Sequence, residues 1–337
     1  MGKTFIIAEA GVNHNGNVEI ALEMVREAKR SGADAVKFQT FRAEDLVTAD
    51  APKAAYQNEG DDASTQYEML KRLELTEDAH KKIKDECDKV GIEFMSTPFS
   101  LPSARFLNEL GMRTWKIPSG ELTNLPLLEY VARHGHRVIL STGMATEEEI
   151  EATVTVLITS GLKKESLYLL HCTTAYPTPL DDVNLRAMNS LRKFDCAGVG
   201  YSDHTAGILV PVAAVAAGAE IIEKHFTLDR SLAGPDHKAS LEPAELEQMI
   251  ADIRRVELAM GSEEKRPVPS EKGNMAVARK SIVASRRIKR GDVFIADNLT
   301  TKRPGTGMSP MLWNKLIGKE ARRDYAVDEQ ISEEELR

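Results

Sequence analysis

Two histidines at the ends of neighbouring apolar segments are the groups in this sequence that most clearly indicate chemistry. His204 closes GVGYSDH, and His225 lies in EIIEKHF. One histidine at the end of a buried strand is more often a hydrogen-bonded core residue than a ligand. Two on adjacent strands could hold a divalent ion with positions left open for water and a carbonyl oxygen. We therefore predict that His204 and His225 bind a metal, whereas a structural role is favoured for His14 and His171.

Lysines occupy comparable positions in other apolar segments, and these are Lys37, Lys116 and Lys224. A buried lysine is costly unless it meets an anion. The anion could be a neighbouring carboxylate, and the candidates are Glu9, Glu121 and Glu223. It could also be a doubly anionic substrate, and a lysine that forms a Schiff base is a third use of the same groups.

Hydroxyl groups accompany the lysines in short turns that contain glycine or proline. The turns are STP, PSG, STG and YSD, and the hydroxyls are those of Thr97, Ser119, Ser141, Thr142 and Ser202. Backbone N–H groups in such turns can point at the same ligand. The combination favours a phosphate or carboxylate site, although each hydroxyl alone could be capping a helix.

Eight apolar runs in the first ~260 residues carry these groups at their carboxyl ends. They are FIIAEA, DAVKFQ, IEFMSTP, RTWKIPSGE, RVILSTG, SLYLLHC, GVGYSDH and EIIEKHF. The amphipathic segments between them carry glycines that mark helix C-termini, namely Gly32, Gly91, Gly111, Gly135, Gly161 and Gly218. Strands that alternate with helices predict right-handed βαβ units and a parallel sheet.

Eight such units fit a closed (β/α)8 barrel, the TIM barrel, whose reactive groups lie at the carboxyl ends of its strands. Thr146 with Glu149 predicts a capping box, and Pro243 suits the first turn of a helix that ends at Gly261. An open, doubly wound sheet is the competing architecture. The segment AGVNHNG after the first run lacks the glycine spacing of a dinucleotide-binding fingerprint, so the barrel is favoured.

Composition restricts the partners and the compartment. The 337-residue chain has a formal net charge of -8 and no long basic run, which argues against nucleic acid as the main partner. No segment approaches 18 consecutive apolar residues, and the N-terminus passes directly into the first strand, so we expect neither a membrane span nor a secretory signal. Three cysteines, Cys87, Cys172 and Cys196, are few and odd in number, which is typical of a reducing cytoplasm.

The organisation of the sequence changes after the barrel. We predict a barrel domain over residues 1–262, a linker over 263–276 and a small domain over 277–337. The small domain contains short β-like runs and two similar twelve-residue pieces, IKRGDVFIADNL and YAVDEQISEEEL, which indicate an internal pseudo-repeat. Within the barrel, the long polar excursion over residues 41–75 is typical of a lid or a substrate wall.

A series of motifs connects these residues to a known family. In order along the chain they are IIAEAGVNHNG, KFQTF, STPFS, WKIPSGELTNLP, STGMA, LHCTTAYPTP, GYSDHTAGI, EKHFTLD, GPDHKASLEP and KRPGTG. Together they cover nearly the whole chain and resemble the sialic acid synthase family of nonulosonic acid synthases. The resemblance implies an α/β fold, a TIM barrel followed by a small antifreeze-like domain of the SAF or β-clip type, and a domain-swapped homodimer.

The resemblance also assigns roles to residues at matching positions. His204 and His225 match the ligands of Mn2+ or Mg2+, and the residues with catalytic roles are Glu9, Lys116, Glu121, His204 and His225. Those that match the phosphoenolpyruvate site are Lys37, Thr97, Lys116, Ser119, Ser141, Thr174 and Ser202. Those that match the sugar site are Gln39, Tyr176, Asp236 and Arg303, the last contributed by the partner subunit. The better-studied sialic acid members have asparagine where this chain has Thr174.

The implied reaction condenses phosphoenolpyruvate with a 2-acetamido sugar aldehyde and gives a nine-carbon 2-keto acid and phosphate. Carbon 3 of phosphoenolpyruvate attacks the metal-polarised aldehyde, water adds at carbon 2, and phosphate leaves by C–O cleavage. Preorganised positive charge supplies most of the catalysis.

The acceptor sugar stays open between N-acetylmannosamine, which gives N-acetylneuraminate, and its 2,4-diacetamido-6-deoxy analogue, which gives N,N'-diacetyllegionaminate. Another synthase that condenses phosphoenolpyruvate with a phosphorylated sugar is an alternative function. It would need a further basic cluster, which the sequence does not display. A non-catalytic carbohydrate-binding protein is the alternative from a different class.

Overall fold

The computed structural model describes residues 2–53 and 63–337. The chain divides into two compact units, Met1–Gly261 and Ser262–Arg337. Residues 54–62, which belong to the predicted excursion, lie outside the described residues.

The first unit contains the eight predicted strands, all of them parallel. They are β1 (Phe5–Gly11), β2 (Ala35–Thr40), β3 (Glu93–Pro98), β4 (Thr114–Ile117), β5 (Arg137–Ser141), β6 (Leu167–His171), β7 (Gly198–Asp203) and β8 (Ile221–His225). Their spatial order is β3-β2-β1-β8-β7-β6-β5-β4. The end strands β3 and β4 pack against each other, and the Thr114 hydroxyl donates to Glu93 Oε1 at 2.5 Å, so the sheet curls into a TIM-like barrel. The predicted fold is confirmed.

Helices follow the strands as the sequence predicts. Those of the first unit are α1 (Val18–Arg30), α2 (Ala43–Leu46), α3 (Gln66–Leu73), α4 (Glu77–Val90), α5 (Leu101–Glu109), α6 (Leu125–His134), α7 (Glu147–Thr159), α8 (Met188–Leu191), α9 (Leu209–Ala216) and α10 (Pro243–Met260). The capping box of Thr146 and Glu149 begins α7, and Pro243 occupies the first turn of α10. Among the described residues, no helix is both long enough and apolar enough to cross a membrane.

The core has two layers, because each strand buries side chains on both faces. Outside the barrel, apolar residues of the strands pack against the helices, and Trp115 and Phe226 are fully buried there. Inside the barrel lies a smaller layer formed by Ile7, Ala35, Met95, Ile139, Leu170 and Ile221. At the amino ends of the strands, the guanidinium of Arg137 stacks on the rings of Phe5 and Tyr168 at 4.4 and 4.7 Å. The interior is therefore filled, and space for a ligand remains at the carboxyl ends.

One of the predicted stop glycines is required for a different reason from the others. Gly91 is typical of the group, because it ends α4 in the left-handed conformation at φ 74°. Gly135 follows α6 at φ -78°, a conformation that any residue adopts. A Cβ atom at Gly135 would lie 2.9 Å from the carbonyl oxygen of Val131, so this glycine is needed for space.

The first helix of the second unit, α11 (Pro269–Ala278), starts within the predicted linker and ends two residues beyond it. It continues with an antiparallel pair, β9 (Ser281–Ala284) and β10 (Leu299–Lys302), and with a short helix, α12 (Trp313–Leu316). Residues of β9, β10 and α12 belong to a separate apolar core, which also includes Phe294.

The pseudo-repeat of the second unit is confirmed by its hydrogen bonds. Ile288 and Tyr325 begin the two twelve-residue pieces and bond to each other in both directions, N to O, at 3.0 and 2.8 Å. Gly291 and Asp328 occupy equivalent positions three residues later, and both have positive φ, at 90° and 67°. The two pieces are therefore related by an approximate twofold axis.

Candidate active site

A single cavity at the carboxyl ends of the barrel strands collects nearly all the predicted site residues. Its volume is about 570 Å³. The predicted residues that line it are Glu9, Lys37, Gln39, Thr97, Lys116, Ser119, Glu121, Ser141, Thr174, Tyr176, Ser202, His204, His225 and Asp236. Arg303 belongs to the second unit, where its side chain is exposed and its Nε donates to the carbonyl oxygen of Ala278 at 3.0 Å.

Strand register explains why residues so distant in sequence meet. Glu9 of β1 pairs with Lys37 of β2 on one side and with His225 of β8 on the other. Gln39 of β2 pairs with Thr97 of β3. Because neighbouring parallel strands end at the same edge, each pair places two polar side chains side by side at the mouth of the barrel.

Lys37 is held by three groups from three strands. Its Nζ lies 2.8 Å from Glu9 Oε2 and 3.8 Å from Glu223 Oε2, and it donates to the hydroxyl of Thr97 at 3.0 Å. Only 4% of the lysine side chain is exposed. The ammonium group is therefore fixed at the floor of the cavity.

Lys116 lies on the other side of Glu223. Its Nζ donates to Ser141 Oγ at 2.7 Å and lies 3.5 Å from Glu223 Oε1. The same Oε1 accepts a hydrogen bond from Ser202 at 3.0 Å. Glu223 thus bridges the two lysines, and the sequence-based list of site residues did not include it.

Burial and the two lysines shift the pKa values of the acidic groups in opposite directions. Burial, with repulsion from Glu223, raises the pKa of Glu9 to about 7. Burial also disfavours the charged form of Glu223, but the positive charges of Lys116 and Lys37 outweigh it and lower the pKa. Burial lowers the pKa of Lys116, whereas the carboxylates of Glu223 and Glu9 overcome burial and raise the pKa of Lys37. Between Glu9 and Glu223, Glu223 is therefore the carboxyl group that more strongly favours its charged form.

Lys224, which the sequence grouped with Lys37 and Lys116, does not face the cavity and pairs with a carboxylate instead. Lys224 is fully buried outside the cavity, and its Nζ lies 2.5 Å from Asp203 Oδ2. Successive residues of a strand point to opposite faces, so Glu223 and His225 share the inner face while Lys224 points outward. The two-residue period of the strand was visible in the sequence. It would have added Glu223 to the predicted site residues.

The turn after β5 approaches the cavity wall closely at Gly143. Its N–H donates to Ser119 Oγ at 3.0 Å, and the same Oγ lies 3.2 Å from Cys172 Sγ. A Cβ atom at Gly143 would lie 2.8 Å from both Ser119 Oγ and Thr174 Cγ2. Thr142, by contrast, donates its hydroxyl to the carbonyl oxygen of Leu170 and does not line the cavity. Ser119 is therefore fixed by a backbone hydrogen bond, Gly143 is needed for space beside Thr174, and Thr142 is structural.

The two histidines lie together, with ring centroids 5.5 Å apart. Nδ1 of His204 bonds to the carbonyl oxygen of Thr173 at 2.7 Å, so this nitrogen carries the proton and Nε2 keeps its lone pair. Burial lowers the pKa of His204 to about 4 and that of His225 well below its usual range. Both rings are therefore neutral near pH 7, as metal ligands must be.

The arrangement fits a divalent ion held by few protein ligands. Nδ1 of His225 is buried without a hydrogen-bond partner among the described residues, and it lies 3.7 Å from Asp236 Oδ2. The hydrogen bond of His204 to Thr173 is the type that orients a metal-binding histidine. No cluster of three or more His, Cys, Asp or Glu side chains suited to a metal occurs in residues 2–53 and 63–337. The two histidines therefore form an open pair rather than a closed cage.

The residues that match the sugar site surround the histidines. The ring of Tyr176 lies 4.2 Å from that of His204, between centroids. Gln39 Nε2 donates to Glu9 Oε1 at 3.4 Å. Burial raises the pKa of Asp236 to about 6. Glu121 also lines the cavity and accepts a hydrogen bond from Asn124 at 2.5 Å. A polar ligand that contacts the histidines would meet donors and acceptors on several sides.

The described part of the excursion over residues 41–75 forms an apolar wall of the cavity. The wall residues are Leu46, Val47, Met69, Leu70 and Leu73, which pack with Phe99 and Phe41 into a small core of their own. The described part of the excursion therefore forms a wall of the cavity, whereas the portion at 54–62 lies outside the described residues.

The chain is similar to known proteins over most of its length. The NeuB family model matches residues 24–265, and the SAF domain model matches residues 279–337. The chain is 50% identical to an N,N'-diacetyllegionaminic acid synthase of Campylobacter jejuni, over 99% of this chain and 100% of the relative. It is 47% identical to a synthase of the same name from Legionella pneumophila, over 93% and 89% of the two chains.

A solved structure is also similar. The N-acetylneuraminic acid (sialic acid) synthetase of Leptospira borgpetersenii, crystallised with citrate, is 36% identical and superposes with a TM-score of 0.72. The alignment covers 81% of this chain and 90% of that one.

We predict that Glu223→Gln destabilises the protein and strengthens its binding of inorganic phosphate. The substitution leaves Lys37 and Lys116 with one negative charge fewer, and breaking such a buried arrangement costs about 3 kcal/mol. An external anion that binds the folded state then restores stability by mass action. Thermal unfolding with and without phosphate measures both effects, and phosphate should raise the Tm of the variant more than that of the wild type.

Glu121→Gln is the matched control, because Glu121 lines the same cavity but bonds to Asn124. An equal phosphate response in wild type and Glu223→Gln would contradict the bridging role of Glu223.

Proposed function

Because the chain belongs to the NeuB family, we propose that it condenses phosphoenolpyruvate with an N-acetylated amino sugar to give a nonulosonic acid and phosphate. It is a synthase that joins small molecules. The observation that carries the proposal is one cavity in which two buried lysines, a group of hydroxyls and two neutral histidines face the same space. Among the described residues that line it, Lys37 and Lys116 are the only lysines or arginines, which suits one phosphate-bearing substrate rather than two.

The lysine side of the cavity is the proposed phosphoenolpyruvate site. Lys37 and Lys116 neutralise the carboxylate and the phosphate, and Ser119 and Ser141 donate hydrogen bonds to their oxygens. Ser202, whose hydroxyl donates to Glu223, lines the same side of the cavity. Thr97 and Thr174 complete the wall on this side. Charge-assisted hydrogen bonds of this kind are strongest where water is excluded. Because the lysines already have fixed partners, their positions need little rearrangement when the anion arrives.

The histidine side is the proposed metal and aldehyde site. His204 and His225 would hold Mn2+ or Mg2+, and the ion would supply Lewis-acid polarisation of the sugar's aldehyde oxygen. Gln39, Tyr176 and Asp236 bind and orient the sugar beside them. Glu9 is suited to exchange a proton near neutral pH, because burial raises its pKa to about 7 and its side chain lines the cavity. We assign to the Glu9 carboxyl group the role of accepting a proton from the water that adds to carbon 2, and to Glu121 a supporting role at the cavity wall.

The acceptor sugar that we propose is the 2,4-diacetamido-6-deoxy analogue of N-acetylmannosamine, so that the product is N,N'-diacetyllegionaminate. Compared with N-acetylmannosamine, this sugar lacks the hydroxyl at carbon 6 and carries a second acetamido group in place of the hydroxyl at carbon 4. The apolar wall of Leu46, Val47, Met69, Leu70 and Leu73 offers a surface for such groups. The two relatives named N,N'-diacetyllegionaminic acid synthase support the same choice.

We predict that the protein with phosphoenolpyruvate and Mn2+ releases phosphate faster with the diacetamido sugar than with N-acetylmannosamine. A difference of a hydroxyl or a methyl group in an apolar pocket changes kcat/KM by about 10-fold to 200-fold. Phosphate release and product mass, measured with each sugar, give the ratio.

Chelation by EDTA should abolish turnover, and added Mn2+ should restore it. Equal rates with both sugars would overturn the choice of acceptor. Full activity in the chelator would overturn the metal site, and an absence of phosphate release with either sugar would overturn the reaction itself.

We also propose that the active form is a domain-swapped homodimer in which Arg303 of one chain contacts the N-acetyl group of a sugar bound in the other. Features of each unit support association. In the first unit, Met144, Leu180 and Leu209 follow barrel strands and expose apolar side chains. In the second unit, α11 buries none of its residues, and isolated helices of this length are marginal in water. The proposed location is the cytoplasm, from the cysteine usage and the kind of reaction.

We predict that Arg303→Ala raises the KM for the sugar far more than the KM for phosphoenolpyruvate. In a swapped heterodimer with His225→Ala, one site combines both defects and the other is wholly wild type. At a sugar concentration far below the raised KM, mixing Arg303→Ala with His225→Ala should therefore restore roughly a quarter to a half of normal activity, depending on subunit exchange. Subunit exchange is verified by mass spectrometry. If activity does not recover after that exchange, the swap is contradicted.

A further inference from the structure

Two fully buried charged residues stand immediately before the two histidines. Asp203 precedes His204, and Lys224 precedes His225. Both charged side chains have 0% exposure, and neither lines the cavity. Their Cα atoms are register partners across β7 and β8, and Lys224 Nζ lies 2.5 Å from Asp203 Oδ2. The Asp203–Lys224 pair therefore links the ends of the two strands that carry the histidines.

The pair also holds the residue that follows His204. Lys224 Nζ donates to the carbonyl oxygen of Thr205. Asp203 Oδ1 accepts from the N–H of Thr205 at 3.2 Å, and Asp203 Oδ2 accepts from its hydroxyl at 3.0 Å. His204 is therefore flanked by Asp203 and Thr205. Both of these residues bond to Lys224, which precedes His225.

Stability alone is a poor explanation for this pair. Burying two charges carries a large desolvation penalty, and well-packed apolar residues of similar volume usually stabilise a fold at least as well. An apolar pair would not supply directional hydrogen bonds between the ends of the two strands. The bonds that Lys224 makes to Asp203 and Thr205 fix the backbone on both sides of His204 relative to that of His225.

We propose that Asp203 and Lys224 are positioning residues that set the spacing of His204 and His225 and thereby the affinity for the divalent ion. The inference rests on the two-histidine metal site of the proposed function. A site with only two protein ligands depends strongly on their separation, because a ligand pair is productive only within about 0.5 Å of its required geometry. Groups that orient metal ligands typically change metal affinity by about 10-fold to 100-fold when removed.

The experiment is a titration of Mn2+ without substrates, in which electron paramagnetic resonance measures the free ion. The variants are Lys224→Met and the double variant Asp203→Leu with Lys224→Met, which leaves no unpaired buried charge. We expect both to raise the Kd for Mn2+ by about 10-fold to 100-fold. Lys224→Arg, which keeps a donor to Asp203, should lie closer to the wild type.

Two controls separate positioning from general damage. Lys193→Met removes a half-exposed lysine that pairs with Glu147, and its Kd for Mn2+ should be that of the wild type. In the double variant, phosphoenolpyruvate affinity measured by calorimetry in a chelator should be unchanged, because Lys37 and Lys116 are intact. Circular dichroism and Tm report whether each variant is folded.

The outcomes are distinguishable. If the wild type binds no Mn2+, the metal site of the proposed function fails. If the wild type binds Mn2+ and the folded double variant binds it with the same Kd, only the positioning role is overturned. If the double variant is unfolded, the pair is needed for the fold itself, and the assignment to metal spacing is overturned as well.

Discussion

The site depends on the burial of two lysines at the same end of a barrel. Lys37 and Lys116 are almost inaccessible to water, and each would be driven towards its neutral form without an anion nearby. Glu223 lies within 4 Å of both and provides that anion. Because Glu223 is fixed by Ser202 and its pKa is lowered, its negative charge favours the charged form of both lysines before any ligand arrives. A preorganised positive surface of this kind is what a substrate with a phosphate and a carboxylate requires.

The barrel makes this arrangement possible because it brings the ends of all eight strands to one rim. Its interior below the cavity is filled by apolar side chains, so the charged groups are supported from beneath. The two histidines lie on β8 and just after β7, the strands that also carry Glu223 and Ser202. Anion binding and metal binding therefore share these two strands, and the barrel brings both groups of side chains to the same cavity.

Much of this could be predicted from the sequence. The period of apolar runs and stop glycines identified the barrel, and the polar ends of the runs identified the cavity lining. Two points required the structure. Lys224 and Glu223 are adjacent in sequence, and only the inward or outward direction of each decides which belongs to the site. Gly135 looks like the other stop glycines, but the close approach of Val131 and Val138 determines its identity. Such errors arise because a sequence pattern predicts which helix or strand a residue belongs to. It does not determine the direction in which each side chain points.

The most direct test of the account is calorimetric titration of phosphoenolpyruvate into wild type and Lys116→Met. A charge-assisted pair in a water-excluded site contributes about 2 to 4 kcal/mol, so the account predicts a Kd about 10-fold to 1000-fold higher for the variant, with the fold intact. Lys193→Met, which removes an exposed lysine, should bind as the wild type does. An unchanged Kd for folded Lys116→Met would contradict the account, because the buried lysine would then be structural and the anion would bind elsewhere.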